Sequence, residues 1–563
     1  LPVGGLLSAC SWVTSEPATP SPSPASTPEE SPNPVTLTPD DTPTSTTDPS
    51  PTPAPPLEQV LRVSGNLAGS VLMLGESAQE CVDFPSMRAG LLAVNEDFEI
   101  EPDWAESWET DDRGVSWQFR IRQNEHGWVS GAPVTADDFV SRWRTLLDPE
   151  RPHPDAVLLF DIENAREVFL GEQAADELAA VAVDDWTLEV ALIRPRQSFP
   201  ALVASPVLTP RWVADRTETT GCDSNGPYSF SGESEGVLTL EPHSGYWSDD
   251  EATLERIEIT TEGPSRAIDR FRAGETDFVR LSPADLPRVR NDHELRDWMR
   301  RGTPSQVVAL IPQVDTPPFD DPNIRSALGM LIDRTRLELI VEGRVTPARR
   351  LIAEGLFPEL DELGVDLDVS FDVDTALERI EGSAYPDPVS WPKLGLTIPQ
   401  GDAYLERVAR DLARQLVENL SIEVPVELVD VEEYQQGVRE RRYPLTWIEW
   451  TYRYADPACV YADLAASFLN PLRPAVWEDE EYDDLVRLAD TLEAPEERAE
   501  IYVQCEALLR GQGICIPLVH PVDYYLIQRW VRDVPQDSEG RILSSGPFHS
   551  RFTSGLEVSR RPR

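Results

Sequence analysis

The chain is short of positive charge. It has one lysine, Lys393, and its Lys+Arg total of 49 stands against 100 Asp+Glu, for a formal net charge of −51. Gripping phosphate needs clustered cations, so this balance excludes nucleic acid and anionic lipid surfaces as partners. After the N-terminal stretch no apolar run approaches the ~18–20 residues that cross a bilayer. Cysteine is scarce and scattered: Cys10, Cys81, Cys222, Cys459, Cys505 and Cys515 contain no C-x-x-C pair, which argues against a zinc site. The six histidines, His126, His153, His243, His293, His520 and His549, include no helical i, i+4 pair. There is no H-E-x-x-H, no Walker loop and no G-x-G-x-x-G beside a strand. One G-x-S-x-G occurs, Gly232 to Gly236, but a strand follows it where a nucleophile elbow needs a helix. It reads as an exposed hairpin turn. With 100 acidic residues, carboxylate pairs arise by chance and carry no catalytic weight. The expectation is a protein that is not an enzyme, with no cofactor and no metal.

What is present begins at Leu7-Ser8-Ala9-Cys10, followed from about Thr14 to Pro56 by a stretch of Pro, Ser, Thr and Asp. This order reads as a lipoprotein signal remnant over residues 1–10, with Cys10 the lipidated residue. A disordered tether follows over 11–56. It implies an extracytoplasmic body anchored to the outer face of the cell membrane. Outside the cytoplasm disulfides persist. Five cysteines remain after Cys10, so at least one stays free. Cys81 with Cys222 is the favoured bridge, and buried free thiols are the alternative.

The remaining length is too great for one core and predicts two or three domains. Alternating patterns predict strands at 60–65, 117–122, 186–192, 237–241 and 256–259. Thr135, with Asp138 three residues on, is an acidic variant of the capping box ahead of a helix through Phe139, Val140, Trp143 and Leu147. Helices are also predicted over 265–273, 322–332, 403–420 and 495–509. Strand 394–398, helix 403–420 and strand 424–428 suggest a parallel βαβ unit. The class is α+β, a mixed α/β chain with at least two lobes.

Five blocks are more specific than composition. The first runs from Ala105-Glu106-Ser107-Trp108-Glu109 through Trp117, Trp128 and Gly131-Ala132-Pro133-Val134-Thr135-Ala136-Asp137-Asp138 to Trp143. The second is Asn225-Gly226-Pro227-Tyr228 with Tyr246-Trp247, and the third is Ala273-Gly274-Glu275-Thr276-Asp277. The fourth spans Pro318 to Leu328 and ends at Asp333-Arg334; the fifth is Trp450 with Tyr454-Ala455-Asp456-Pro457. In this order and spacing, from about Leu57 to Val534, they resemble the extracytoplasmic solute-binding proteins of family 5. These are the substrate-binding lipoproteins of peptide/nickel ABC transporters, of oligopeptide- and dipeptide-binding type. Without that resemblance the blocks read mainly as turns, helix starts and core tryptophans.

The resemblance implies a two-lobed clamshell like the periplasmic binding proteins (type II, cluster C), with an extra peripheral domain in lobe I. Lobe I would be 57–86, 211–305 and 522–563, the peripheral domain 87–210 and lobe II 306–521. It implies a monomer that closes on a peptide or other small solute and docks on ABC permease transmembrane subunits. The alternative on the same fold is a non-transport lipoprotein that senses or binds cell-wall fragments. Candidate ligand-binding residues are Arg453, Trp450, Tyr454, Asp456, Trp447 and Asn225. In peptide-binding members an Asp three residues after the block's Trp pairs with the peptide ammonium; here that position is Arg453. Arg453 either anchors an anionic group in the cleft or is a structural or surface residue. A free N-terminal amine is therefore not expected to be the main anchor. Nickel uptake is poorly supported, because no His lies close in sequence to 447–457, although His520 could approach in space.

Overall fold

The computed structural model describes residues 59–64, 72–74, 81–210, 223–248, 252–260, 264–282, 284–363, 370–465, 477–537, 540–543 and 557–558. Cys10, the tether and Cys222 lie outside these residues, and so does the Cys81–Cys222 pairing. Cys459, Cys505 and Cys515 are free and buried. Among the described residues no helix is long and apolar enough to cross a membrane.

Two large sheets carry the architecture. One has seven strands in the order Tyr228–Ser234, Val237–Pro242, Arg256–Thr260, Val60–Ser64, Phe278–Arg280, Tyr524–Ile527, Met299–Arg301. The other has six, in the order Val345–Pro347, Ile516–Pro521, Gln306–Pro312, Leu445–Thr451, Leu396–Pro399, Val426–Val429. The chain passes from the first sheet to the second between Arg301 and Gln306 and returns between Pro521 and Tyr524. These sheets are the cores of the two lobes, and the crossings join them. Next to them stands a four-stranded antiparallel sheet in the order Ala105–Thr110, Ser116–Ile121, Thr187–Ala191, Ala180–Asp184.

Local chemistry explains the elements. Val307-Val308-Ala309-Leu310-Ile311 is apolar throughout because both faces of its strand are covered. Val308 and Leu310 join the core under the second sheet's helices, while Val307, Ala309 and Ile311 face the core shared with the four-stranded sheet. The helix Ala403–Leu420 buries Leu405, Val408, Leu412, Leu416 and Leu420 as one stripe. It links two parallel strands, Leu396–Pro399 and Val426–Val429, and so forms the expected βαβ unit. The helix Ala136–Leu146 starts at Thr135, whose backbone N–H donates to Asp138 Oδ2 at 2.8 Å, the expected acidic capping box. The G-x-S-x-G run closes the hairpin between Tyr228–Ser234 and Val237–Pro242. Glu235 (φ 53°) and Gly236 (φ 78°) both take positive φ, the conformation a tight primed turn requires.

Candidate functional site

Among the described residues, one side of the strand Leu445–Thr451 is mostly unpaired. On the other side it pairs antiparallel with Gln306–Pro312 along its whole length, from Leu445↔Pro312 to Thr451↔Gln306. Toward Leu396–Pro399 it pairs at Thr397↔Thr446. Antiparallel pairs alternate between residues that bond their partner and residues whose backbone points away. Gln313 N–H donates to Pro444 O, and Tyr452 N–H donates to Ser305 O. By that alternation Thr446, Ile448 and Trp450 bond inward, whereas Trp447, Glu449 and Thr451 turn their N–H and C=O outward. The Trp447 carbonyl is taken by the Tyr434 hydroxyl. Glu449 and Thr451 remain as exposed edge residues. Such an edge is a template for an added strand.

Charged groups from both lobes converge beside this edge. Burial pushes the Tyr404 phenol upward, and the carboxylates of Asp402, Asp523 and Glu449 push it further. Asp402 and Glu449 belong to the second lobe, whereas Asp523 lies where the chain crosses back toward the seven-stranded sheet. Asp523 accepts from Arg280 Nη2 at 2.8 Å. Burial opposes the Arg280 charge most strongly, but Asp523, with Tyr525 and Tyr404, raises that pKa on balance. Glu449 is an exposed residue, yet burial of its carboxyl raises its pKa, and Asp402 adds to the rise. That pairing of properties fits a side chain lining a crevice. Its carboxylate accepts from Trp447 Nε1 at 3.1 Å.

Arg453 lies just past the open edge. Its Nε is 3.0 Å from Asp155 Oδ1 and its Nη1 is 3.9 Å from Asp463 Oδ2. Its carbonyl accepts from Ser205 Oγ at 2.7 Å. Trp450 is buried, with Nε1 donating to Asp463 Oδ2 at 3.2 Å. Burial raises the Asp463 pKa, and Arg453 pulls the other way.

The other candidates are packed and satisfied. Tyr454 is buried, and its hydroxyl accepts from Arg196 Nη2 at 2.8 Å. Asp456 is buried, accepts from Arg498 Nη2 at 2.9 Å and bonds Ala458 N–H at the start of the helix Ala458–Leu464. Trp447 is buried under the second sheet. Asn225 is buried and bonds both backbone groups of Ala89, by Oδ1 at 3.1 Å and Nδ2 at 3.0 Å. His520 does approach the block: its Nδ1 lies 3.2 Å from Tyr452 Oη, in a buried setting. The structure thus brings Trp450 and Arg453 together with Asp463 and Asp155, whereas Glu449 and Thr451 are their neighbours only along the strand, on its other face. Sequence reasoning missed the last four. Outward alternation along 447–451 could have found Glu449 and Thr451, but no local pattern marks Asp155.

Comparison with known proteins gives a consistent picture. The family model described as "Bacterial extracellular solute-binding proteins, family 5 Middle" matches residues 99–468. The dipeptide-binding protein DppE of Bacillus subtilis is 24% identical over 474 residues, covering 80% of this chain and 84% of that protein. The oligopeptide-binding protein OppA of the same organism is 26% identical over 481 residues, covering 79% and 83%. Among solved structures, the murein tripeptide binding protein MppA of Escherichia coli superposes with a TM-score of 0.66 at 21% identity, covering 90% of this chain and 99% of that one. OppA of Haemophilus influenzae in complex with the peptide RPPGFSPFR gives a TM-score of 0.65 at 22% identity, covering 89% and 99%.

Proposed function

The chain belongs to the bacterial extracellular solute-binding proteins, family 5, and on that premise we propose that it is a receptor that delivers peptides or similar small solutes to an ABC import permease. The carrying observation is the open outer edge at Glu449 and Thr451, beside charges drawn from both lobes. An extended peptide has backbone donors and acceptors spaced to pair with such an edge. Relatives whose names say they bind dipeptides, oligopeptides and a murein peptide support that ligand class. A ligand that touches both lobes stabilises the closed form by the amount it prefers that form. In this reading lobe I is 57–86, 211–305 and 522–563, the peripheral domain is 87–210, and lobe II is 306–521. The protein acts as a monomer and performs no chemistry on its cargo. Arg453 and Trp450 sit at the ligand. Tyr454, Asp456, Trp447 and Asn225 hold the strand and loops that present it.

The test is Thr451→Pro. Proline removes an N–H that faces the open edge, not the paired side, so the sheet tolerates it. Losing one backbone hydrogen bond of about 1 kcal/mol weakens binding of an oligopeptide pool roughly fivefold by calorimetry. Unchanged affinity in a folded variant would remove peptide pairing from this edge.

The anchor is proposed from Cys10 and the Pro/Ser/Thr-rich stretch behind it. Family members are extracytoplasmic, and a lipid on Cys10 with a flexible tether keeps the body near its permease. Cys10→Ser should move the protein from the membrane fraction to the soluble extracytoplasmic fraction. If the variant still sediments with membranes, the anchor lies elsewhere.

A further inference from the structure

A cavity of about 350 Å³ opens where the helices Pro322–Met330 and Val373–Glu381 meet the end of the helix Pro495–Gly511. It shares no residue with the strand edge at Glu449 and Thr451. Its charged lining is Arg325, Arg379 and Arg510, and among the described residues no Asp or Glu lines it. In a chain with 100 acids against 49 bases, that is a local reversal of sign.

Arg325 is 5% exposed. Its Nε donates to the Gln512 carbonyl at 2.9 Å and its Nη1 to the Phe319 carbonyl at 2.7 Å. Both partners are neutral, and among the described residues no group bonds Nη2. Burial opposes the charge, and Asp321 and Asp320 offset only part of that cost. A buried cation without an ion pair is held at a cost that a bound anion would relieve. Arg379 stands on the facing helix, where its Nη1 donates to Ser326 Oγ at 2.7 Å. It too makes no ion pair among the described residues. The Ser326 hydroxyl accepts that bond and keeps its own hydrogen to donate. Arg510 adds a third charge, part of which the buried Glu506 draws. At Gly511, on the cavity wall, an added Cβ would meet nothing within 4 Å, so the backbone leaves that side open.

We propose that this cavity is a second ligand site that takes a phosphate group, gripped by Arg325 and Arg379 with the Ser326 hydroxyl. Guanidinium forks match the oxygens of phosphate and carboxylate alike. Three of them with no lining acid favour the more highly charged phosphate, which carries about −1.5 to −2 at neutral pH. The acidic body as a whole repels anions, so one that binds here does so through these local contacts. The site stands independently of the peptide reading, and failure of peptide binding leaves its test intact.

The probes are inorganic phosphate, glycerol phosphate and acetate, each titrated into the whole purified protein by calorimetry at neutral pH and fixed ionic strength. At least one of the two phosphates should bind saturably at a single site, with acetate at least tenfold weaker. Tighter binding of inorganic phosphate assigns the site to the free ion, and tighter binding of glycerol phosphate assigns it to an ester. Arg325 also ties down two loop carbonyls, so the variant to make is Arg379→Gln, at an exposed helix position. It should weaken phosphate at least tenfold, and Gly511→Leu, which puts a side chain on the open wall, should do the same. Arg439→Gln removes one positive charge from an exposed position on another helix and should leave phosphate affinity unchanged. Absence of saturable binding by both phosphates overturns the proposal. So do wild-type affinity in Arg379→Gln, an equal loss in Arg439→Gln, and acetate binding as tight as phosphate.

Discussion

His520 is a histidine that folding keeps neutral. It is buried at 4% exposure beside Tyr452 and the Gln306 carbonyl, where one lobe's sheet gives way to the crossing strand. Burial pushes its pKa down to about 4, and the charges of Arg350 and Arg541 press the same way, against the carbonyl bond from Gln306. An unfolded histidine titrates near 6.5, so below that pH the unfolded chain binds the extra proton. The contribution to stability is full above pH 6.5 and is lost as pH falls toward 4. The loss amounts to about 3 kcal/mol at most. His520→Gln should flatten the dependence of the urea midpoint on pH across that interval relative to wild type. An identical slope in the variant would mean that other groups set the acid limb. This residue also shows why side-chain roles resist reading from sequence. His520 is far from Tyr452 along the chain, and only pairing of Gln306–Pro312 with both flanking strands brings the two together.

At the scale of elements, much was legible because single-strand and single-helix patterns are local. The stripe Val408, Leu412, Leu416, Leu420 marked its helix, and the residues at those positions are buried as that spacing requires. The apolar strands on either side of it pair in parallel, as short strand–helix–strand order suggests. The Gly232–Gly236 run announced a turn through its own backbone chemistry. The site is a different matter. Leu445-Thr446-Trp447-Ile448-Glu449-Trp450-Thr451 is plainly a strand, but whether its second side is paired depends on how far Leu396–Pro399 runs beside it. That is a property of two elements about fifty residues apart, and neither encodes it alone. The candidate aromatics of this stretch are Trp447, Trp450 and Tyr454. All three are buried, and the exposed positions are the less conspicuous Glu449 and Thr451. Asn225 is similar: its motif was visible, but its use as a stand-in for a strand partner of Ala89 needed the fold.

At the scale of the whole molecule, the net charge of −51 sets a physical constraint that no single contact shows. Arginines enter the ion pairs, as in Arg194–Asp161, Arg336–Asp411 and Arg498–Asp456, but acids outnumber them about two to one. The surplus carboxylates repel one another more in the compact state than in the expanded chain, so the excess charge destabilises the fold. Salt screens that repulsion: the Debye length falls from about 30 Å at 0.01 M to about 10 Å at 0.1 M. The melting temperature should therefore climb as sodium chloride is raised through this range and level off once neighbouring carboxylates are screened. A rise that continues linearly to molar salt would point instead to surface exclusion of the ions, which strengthens burial and does not saturate in this way. A fall would mean that the arginine pairs outweigh the acid surplus. The same screening bears on the cleft, because Asp402, Glu449 and Asp523 gather around Tyr404 from both lobes. In the proposed receptor, closure would press those carboxylates closer, so added salt should also favour the closed form of the unliganded protein. Small-angle scattering across the same salt series would show this as a fall in radius of gyration with no ligand present. A radius that does not change would confine the repulsion to the outer surface and leave closure to the ligand.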